Sequence, residues 1–169
     1  MKYSYETKNF YLREMTYDDI DFIKSIWQNN KCMKFYPVTF DDQACKDLIT
    51  RQLNRYKDHN YTGHYLMIRK EDLEPVGQIG FSYQPVEGDY VLELGYLLRD
   101  DFWGKGYVTE VAKELLKFGK KYYKEDIHST INIDNEYSIA VAKRLGAKFI
   151  KEYDSSLFGK NIKSVLYKY

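Results

Sequence analysis

The sequence contains little cysteine and little proline. Its 169 residues include two cysteines and three prolines. Cys32 and Cys45 lack Cys-x-x-Cys spacing, which favours buried free thiols over a disulfide or a metal site. The prolines occur singly, and no linker-like stretch, internal repeat or low-complexity tract divides the chain. We therefore expect one domain that spans residues 1–169 and buries a single sizeable core.

Long apolar runs and an excess of one charge are also missing. The N-terminus lacks the apolar segment of a signal peptide, and nowhere do about 18 apolar residues follow one another. These features predict a soluble, cytoplasmic protein without a membrane partner. With 26 Lys and Arg against 25 Asp and Glu, the net charge of +1 does not favour nucleic acid as a partner. His59, His64 and His128 form no metal-ligand spacing with the cysteines, so no metal is expected.

The hydrophobic pattern predicts the order of helices and strands. A strand in "NFYLREM" precedes a helix that begins at 16 or 18 and ends near 28, and then a helix from 41 or 42 to about 56. Three strand-like runs follow with short connections, which is the spacing of an antiparallel meander: "GHYLMIRK", "EPVGQIGFSYQP" and "DYVLELGYLLR". A helix, a strand, a short helix and a final hairpin complete the chain.

The predicted fold class is α/β (α+β), in the order β-α-α-β-β-β-α-β-α-β-β. We expect a mixed, mostly antiparallel sheet of roughly six to seven strands, flanked by about four helices. Only the strands from about Tyr90 and from about Asp126 are joined through a full helix, so these two should pair in parallel. Ligands of such units bind beyond the carboxyl ends of the strands, where Gly104 and Gly106 are expected to lie.

The segment "DDFWGKGYVTEVAKELLKFG" places these two glycines directly before an amphipathic helix. A helix N-terminus offers unpaired N–H groups, and glycine permits positive φ and close approach, so a phosphate or pyrophosphate is the expected guest. A Walker loop is excluded because Lys105 is followed by glycine, and a dinucleotide fingerprint is excluded because Thr109 takes the place of its last glycine. The alternative is that the glycines only reverse the chain.

Two segments in sequence order, "LELGYLLRDDFWGKGYVTEVAKELLKF" and "INIDNEYSIAVAKRLGAKF", resemble the GNAT superfamily of acetyl-CoA-dependent N-acetyltransferases. The first is similar to the strand, pyrophosphate loop and helix of the family's acetyl-CoA motif, and the second to its later Asn-x-x-Ser/Ala helix. The branch that includes ribosomal-protein N-terminal alanine and serine acetyltransferases is the most similar. The resemblance implies a single GNAT-like domain that uses acetyl-CoA as co-substrate.

The resemblance also implies which residues bind the cofactor. The loop backbone from Phe102 to Tyr107 would hold the pyrophosphate, the strand end from Leu97 to Arg99 would pair with pantetheine, and a later Asn and Ser would line the thioester end. The implied set is Leu97, Leu98, Arg99, Phe102, Trp103, Gly104, Lys105, Gly106, Tyr107, Asn135 and Ser138.

Three positions depart from the family pattern. Asp101 stands where many members have Gln or Arg, so binding would depend on the loop backbone. Ala142 occupies the position of a tyrosine general acid and cannot donate that proton. Ala147 replaces a phenylalanine after Gly146, a change that affects packing.

Acetyl transfer needs a neutral amine, a polarised thioester carbonyl and a proton source for the thiolate. Glu93 lies in the apolar run "YVLELGYLL", where burial would raise its pKa and suit it to act as the base; a structural hydrogen bond or ion pair is the alternative. Ser138 and Tyr96 are candidate proton donors, although Ser138 could instead cap a helix or contact CoA. A backbone N–H near Leu97 could hold the oxyanion. Since both cysteines are distant from these motifs in sequence, we expect direct transfer in a ternary complex.

The acceptor is expected to be a primary amine. A protein N-terminal α-amino group is favoured, since its reference pKa of about 8 demands less help from a base than that of lysine. Residues 36–58 and the acidic turn from Glu87 to Asp89 are expected to border its cleft. The alternatives are a polyamine or aminoglycoside as acceptor, a catalytically silent acyl-CoA-binding module, and a purely structural domain. A homodimer is compatible with the sequence because the final strands can pair between subunits.

Overall fold

A computed structural model gives the fold of residues 4–58 and 60–169. His59 and residues 1–3 lie outside the described residues. A single domain over residues 1–169 therefore stays a prediction.

The described residues form one eight-stranded sheet in the spatial order β1-β2-β3-β4-β5-β6-β8-β7. The strands are β1 (Tyr5–Glu6), β2 (Phe10–Arg13), β3 (Gly63–Arg69), β4 (Pro75–Val86), β5 (Asp89–Leu98), β6 (Ile127–Asn132), β7 (Lys148–Leu157) and β8 (Lys160–Lys168). The prediction of six to seven strands was one short, because β1 has only two residues and shows no periodicity. The mixed, mostly antiparallel class is confirmed, since only β5 and β6 pair in parallel.

Four α-helices flank the sheet in the described chain, as predicted. They are α1 (Ile20–Trp27), α2 (Asp42–Lys57), α3 (Tyr107–Tyr122) and α4 (Glu136–Arg144). A 3-10 turn at Tyr17–Asp19 leads into α1. Asp41 caps α2, because its carboxylate accepts a hydrogen bond of 2.7 Å from the Ala44 backbone N–H.

Side chains alternate between the two faces of the sheet and build two main cores. On one face, β-strand residues pack against α3 through its predicted apolar stripe, all of which is buried: Val108, Val111, Ala112, Leu115 and Leu116. On the other face, the sheet packs against α1 and α2, with Ile23, Ile26 and Ile49 fully buried. Polar side chains of β4 and β5 lie on this second face, and there they line a cavity instead of filling the core.

The parallel pair of β5 and β6 is short. It consists of Leu92 opposite Ile127 and Glu93 opposite His128. Beyond these pairs β5 continues to Leu98 and β6 continues to pair with β8, so β5 and β6 separate toward their carboxyl ends. The separation opens a gap in the sheet at the N-terminus of α3, where the sequence predicts a ligand.

Glycines keep three strands close together beside this gap. His64, Gly80 and Gly95 lie opposite one another on β3, β4 and β5. A Cβ on Gly80 would lie 2.0 Å from the Gly63 carbonyl oxygen, so alanine there would clash with backbone. The two bare positions leave room for the His64 side chain on the face that carries Glu93.

Candidate active site

Two cavities meet at the gap between β5 and β6. The larger, of about 880 Å³, lies between the end of β5, the start of α3 and α4. The smaller, of about 220 Å³, lies on the side of α1. The residues that line both are Phe35, Tyr36, Tyr96, Leu97, Asn135 and Ser138. A molecule in one cavity can therefore meet a molecule in the other at this shared wall.

The glycine turn forms one end of the larger cavity. Gly104 and Gly106 have φ of +73° and +77°, and a Cβ on either would meet no atom within 4 Å. Within residues 4–58 and 60–169, the backbone N–H groups of residues 104–109 donate no hydrogen bond. Open space, free N–H groups and the positive end of α3 therefore coincide, which suits an anion.

Nine of the eleven residues implied for cofactor binding line the larger cavity: Leu97, Leu98, Phe102, Trp103, Gly104, Gly106, Tyr107, Asn135 and Ser138. Arg99 does not, because its guanidinium bonds to Glu74 and Asp101 at 2.7 and 2.8 Å and its backbone N–H bonds to Val76. Lys105 also lies outside the lining, with its ammonium 5.0 Å from the centre of the Phe102 ring.

The placement of Arg99 also accounts for the departure at Asp101. The Asp101 carboxylate pairs with the Arg99 guanidinium, which holds the pKa of Asp101 below its usual range. Neither side chain is directed at the larger cavity. The side-chain cations that line it are Lys113 and Arg144. The sequence suggests Lys105, Lys143 and Arg144 as contacts for CoA phosphates, with solvated surface as the alternative, but it does not indicate Lys113, which lies two turns into α3.

The exposed edge of β5 offers backbone groups to the gap. The Leu94 carbonyl accepts a hydrogen bond of 3.1 Å from the Ser129 hydroxyl, and the Leu98 carbonyl accepts one of 3.0 Å from the Trp103 indole. Because backbone groups alternate between the two edges of a strand, Tyr96 N–H and C=O face the gap with those of Leu94 and Leu98. The oxyanion donor expected near Leu97 is thus best matched by Tyr96, one residue earlier.

Glu93 is buried at the base of the smaller cavity, with 9% of its surface exposed. Its Oε1 accepts hydrogen bonds from Thr130 N at 3.1 Å and from the Thr130 hydroxyl. Burial raises the pKa of Glu93, and the bonds from Thr130 and Gln84 oppose that rise. Among the described residues no cation lies within ion-pair distance of this carboxylate. The ion-pair interpretation is therefore wrong, whereas a hydrogen bond is present.

The candidate proton donors lie at the shared wall. Asn135 caps α4, since its Oδ1 accepts from Ser138 N at 3.1 Å, so capping is the role of Asn135 and not of the Ser138 hydroxyl. The Tyr96 hydroxyl lies 3.5 Å from the Ser138 carbonyl oxygen, and burial raises the pKa of Tyr96. A hydrogen bond with the Ser138 side chain opposes this rise, so the two candidate hydroxyls contact each other at the shared wall. Ala142 is fully buried and packs in the core.

Cys32 lies much closer to the predicted motifs than the sequence indicates. Its thiol lines the larger cavity and lies 3.5 Å from the Leu98 carbonyl oxygen. Burial raises the pKa of Cys32 to about 11, which leaves the thiol protonated and weakly nucleophilic at neutral pH. Cys45 is buried in α2, away from both cavities.

Several residues of the smaller cavity escaped sequence reasoning: Trp27, His64, Gln78, Gln84 and Thr130. The signal for two of them was present, because Gln78 and Gln84 stand at even spacing in a mostly apolar strand. Of the expected borders, Tyr36 lines the cavity, whereas the turn from Glu87 to Asp89 does not. Glu87 pairs instead with Lys151.

The described residues contain no helix with the length and apolar character needed to cross a membrane. They also contain no cluster of three or more His, Cys, Asp and Glu side chains that could hold a metal ion.

The fold and its cavities together define an α/β domain in which the N-terminus of α3, with free N–H groups, lies beside a pair of parallel strands that separate. Residues 9–148 match the acetyltransferase (GNAT) domain family, and the chain belongs to this family.

Curated relatives carry related names. The chain is 28% identical over 115 residues to an uncharacterized N-acetyltransferase p20 of Bacillus licheniformis, a match that covers 67% of this chain and 64%, less than two thirds, of that protein. It is 26% identical over 144 residues to an uncharacterized N-acetyltransferase YnaD of Bacillus subtilis, covering 84% of this chain and 81% of YnaD.

Solved structures share the fold. A ribosomal L7/L12 α-N-protein acetyltransferase, RimL, in complex with coenzyme A superposes with a TM-score of 0.78 at 16% identity, covering 99% of this chain and 97% of RimL. A ribosomal-protein-S5-alanine acetyltransferase from Vibrio fischeri superposes with a TM-score of 0.75 at 17% identity, covering 99% of this chain and 96% of the other. At these identities the likeness shows the fold alone.

The glycine turn can be tested by a matched pair of variants. Gly104→Ala places a side chain in the open end of the larger cavity, and Gly88→Ala places one in the open β4–β5 turn, where φ is +94°. Both variants carry left-handed strain of about 1–2 kcal/mol. We expect Gly104→Ala to weaken acetyl-CoA binding at least about tenfold, the loss of one or two charge-assisted hydrogen bonds, and Gly88→Ala to leave it unchanged. Calorimetric titration measures both, and equal affinities would contradict the assignment.

Proposed function

We propose that this protein is an acetyl-CoA-dependent N-acetyltransferase that transfers the acetyl group directly to a primary amine, with a protein N-terminal α-amino group as the favoured acceptor. In this proposal acetyl-CoA occupies the larger cavity and the acceptor occupies the smaller one. The residues of both cavities meet at Tyr96 and Ser138.

A single observation carries the proposal: the buried Glu93 carboxylate, which no cation of residues 4–58 and 60–169 pairs with, lies on one side of a gap whose other side is the open N-terminus of α3. Burying a carboxylate without a cation costs free energy. Such groups are found preferentially at functional sites. Glu93 accepts two hydrogen bonds from Thr130, and burial raises its pKa, which makes the carboxylate a stronger base. A silent acyl-CoA-binding module would need the larger cavity but not this carboxylate.

The residues present can serve each part of the transfer. The amine nitrogen forms a bond to the thioester carbonyl carbon while the carbon–sulfur bond breaks. Glu93 receives the proton that the amine loses, directly or through water, and Tyr96 N–H faces the position where the oxyanion develops. The departing thiolate takes a proton from the Ser138 or Tyr96 hydroxyl, and both residues line the shared wall.

The charge of the smaller cavity supports an amine as acceptor. Among the described residues that line it, Glu93 is the only Asp or Glu, no Lys or Arg is present, and burial lowers the pKa of His64 to about 4, so His64 is neutral at pH 7. A cationic or neutral amine is compatible with a lone carboxylate, whereas an anionic acceptor would be repelled. The N-terminal preference is further supported by the names of the structural neighbours that acetylate ribosomal-protein N-termini.

Replacement of Glu93 by glutamine tests the base. Glutamine keeps the shape of the side chain but cannot accept a proton, so we expect kcat at pH 7 on an Ala- or Ser-initiated peptide to fall about 100-fold or more. The acetyl-CoA affinity should not change, because Glu93 lies outside the lining of the larger cavity. An unchanged kcat together with an unchanged pH dependence would show that Glu93 is structural.

Thr130→Val tests the cause of the Glu93 pKa. The hydroxyl of Thr130 stabilises the charged carboxylate, so its removal should raise the pKa of Glu93 further. A base acts only when deprotonated, and activity is lost as the pH falls through its pKa. The acidic limb of kcat against pH should therefore move to higher pH in Thr130→Val. A limb at the wild-type position would disconnect Thr130 from the base.

Direct transfer can be separated from a covalent route through Cys32. The protonated, buried thiol is a poor nucleophile despite its position in the larger cavity. We expect Cys32→Ala to keep most of the wild-type kcat and initial-rate patterns to intersect, as a ternary complex requires. Loss of turnover in Cys32→Ala with parallel initial-rate lines in the wild type would instead indicate an acetyl-enzyme.

A further inference from the structure

One ring nitrogen of a buried histidine in the smaller cavity has no partner. His64 Nδ1 lies 3.2 Å from the Gln78 amide nitrogen, while His64 Nε2 is inaccessible to solvent and makes no hydrogen bond with any described residue. Buried polar nitrogens are normally paired, and leaving one unpaired costs free energy. An unpaired nitrogen beside a cavity is therefore a candidate contact for a ligand.

The neighbours of His64 decide where its proton lies. The Trp27 indole N–H can only donate, and it reaches the Gln78 side-chain oxygen at 3.4 Å. The Gln78 amide nitrogen is thereby directed toward His64 Nδ1, which must accept. A neutral imidazole that accepts at Nδ1 carries its hydrogen on Nε2. The free atom of His64 is therefore a hydrogen-bond donor.

This donor lies close to the candidate base. The position that a Cβ on Gly95 would occupy is 3.2 Å from His64 Nε2 and 3.4 Å from Glu93 Oε2. The two atoms are consequently at most 6.6 Å apart, the sum of these distances. Glu93 Oε2, an acceptor, and His64 Nε2, a donor, thus both lie next to Gly95, which has no side chain, in the lining of the smaller cavity.

We propose that Glu93 and His64 form a two-point site for a primary amine whose own oxygen acceptor lies three bonds from the nitrogen, as in the N–C–C=O unit of a peptide N-terminus. Glu93 holds the amine, and His64 Nε2–H donates to the oxygen. The inference rests on the proposed function and narrows its acceptor class. The nitrogen and oxygen of such a unit are about 3 Å apart, and a hydrogen bond adds about 2.9 Å at each end. When the two hydrogen bonds are bent, this arrangement can span the distance of at most 6.6 Å between Glu93 Oε2 and His64 Nε2.

The cavity walls also select against related amines. A simple alkylamine would leave the His64 N–H buried and unpaired, which binding sites built around a hydrogen bond penalise strongly. A free amino acid would bring a carboxylate next to Glu93, and no lysine or arginine among the described lining residues could compensate it. The expected order of acceptors is an α-amino amide, then an alkylamine of the same shape, then the free amino acid.

Acetylation kinetics of the full-length protein test this order. The acceptors are alaninamide, sec-butylamine as its alkyl counterpart, 1-amino-2-propanol and free alanine. 1-Amino-2-propanol has the same N–C–C–O spacing as alaninamide, but its oxygen belongs to a hydroxyl group. For each, kcat/KM is corrected for the fraction of neutral amine. We expect wild-type protein to prefer alaninamide to sec-butylamine by about 10–100-fold. Equal preference for 1-amino-2-propanol and alaninamide would assign the site to any N–C–C–O unit, and a preference for alaninamide would assign it to the peptide N-terminus.

Two substitutions connect the preference to His64. His64→Phe keeps a planar ring but removes the donor, so the preference for alaninamide should fall to nearly one. His64→Gln places an amide N–H near the position of Nε2 and should restore part of it. The acetyl-CoA affinity should stay constant in both, since His64 does not line the larger cavity. A purely structural role would lower turnover of all acceptors equally and would overturn the proposal.

The tautomer is measured independently of turnover. Long-range proton–nitrogen NMR correlations distinguish a protonated from an unprotonated ring nitrogen. Among the three histidines, the signals of His64 are assigned by elimination with the His59→Gln and His128→Gln variants. A hydrogen on Nε2 is expected, and a hydrogen on Nδ1 would overturn the two-point site even if the His64 variants failed to fold. Absence of turnover with every amine would overturn the proposed function and this inference with it, whereas turnover without preference would overturn this inference alone.

Discussion

The separation of β5 from β6 is the constraint on which the rest of the structure depends. Two strands that stayed paired would satisfy each other's backbone groups and close the sheet. Here the pairing ends after Glu93 and His128, and the next residues of β5 direct backbone groups into a gap. The gap joins the two cavities, exposes Tyr96 to both, and places the free N–H groups at the start of α3 beside it.

The two cavities have different chemical characters, and each follows from a different face of the sheet. The larger one is bounded by the start of α3, where N–H groups and the cations of Lys113 and Arg144 suit a pyrophosphate. The smaller one is lined by amides, hydroxyls and aromatic rings around a single carboxylate. In the proposed function, this arrangement would keep a donor with several negative charges and an amine acceptor on opposite sides of the gap until their reacting atoms meet.

Hydrogen bonds beyond the reacting groups set the properties of the smaller cavity. Thr130 moderates the rise in the pKa of Glu93 that burial causes. Trp27 and Gln78 form a chain of contacts that leads to Nδ1 of His64 and determines which ring nitrogen accepts a hydrogen bond. Cys32 lines the larger cavity, but burial raises the pKa of its thiol and keeps it protonated. Proximity alone therefore does not make a residue reactive in this protein.

The sequence by itself determined the order of helices and strands and the glycine turn before α3, and it indicated Glu93 as a candidate base. Hydrophobic periodicity, turn residues and a charge in an apolar run are local signals, so each can be read without the fold. It missed β1, which is too short to be periodic. It did not predict that the side chains of Arg99 and Lys105 lie outside the larger cavity, in contact with Asp101 and Phe102. Only the tertiary structure decided that Trp27, His64 and Gln78 meet beside Glu93. Those contacts depend on strand register and helix packing between segments distant in the chain, which no local pattern encodes.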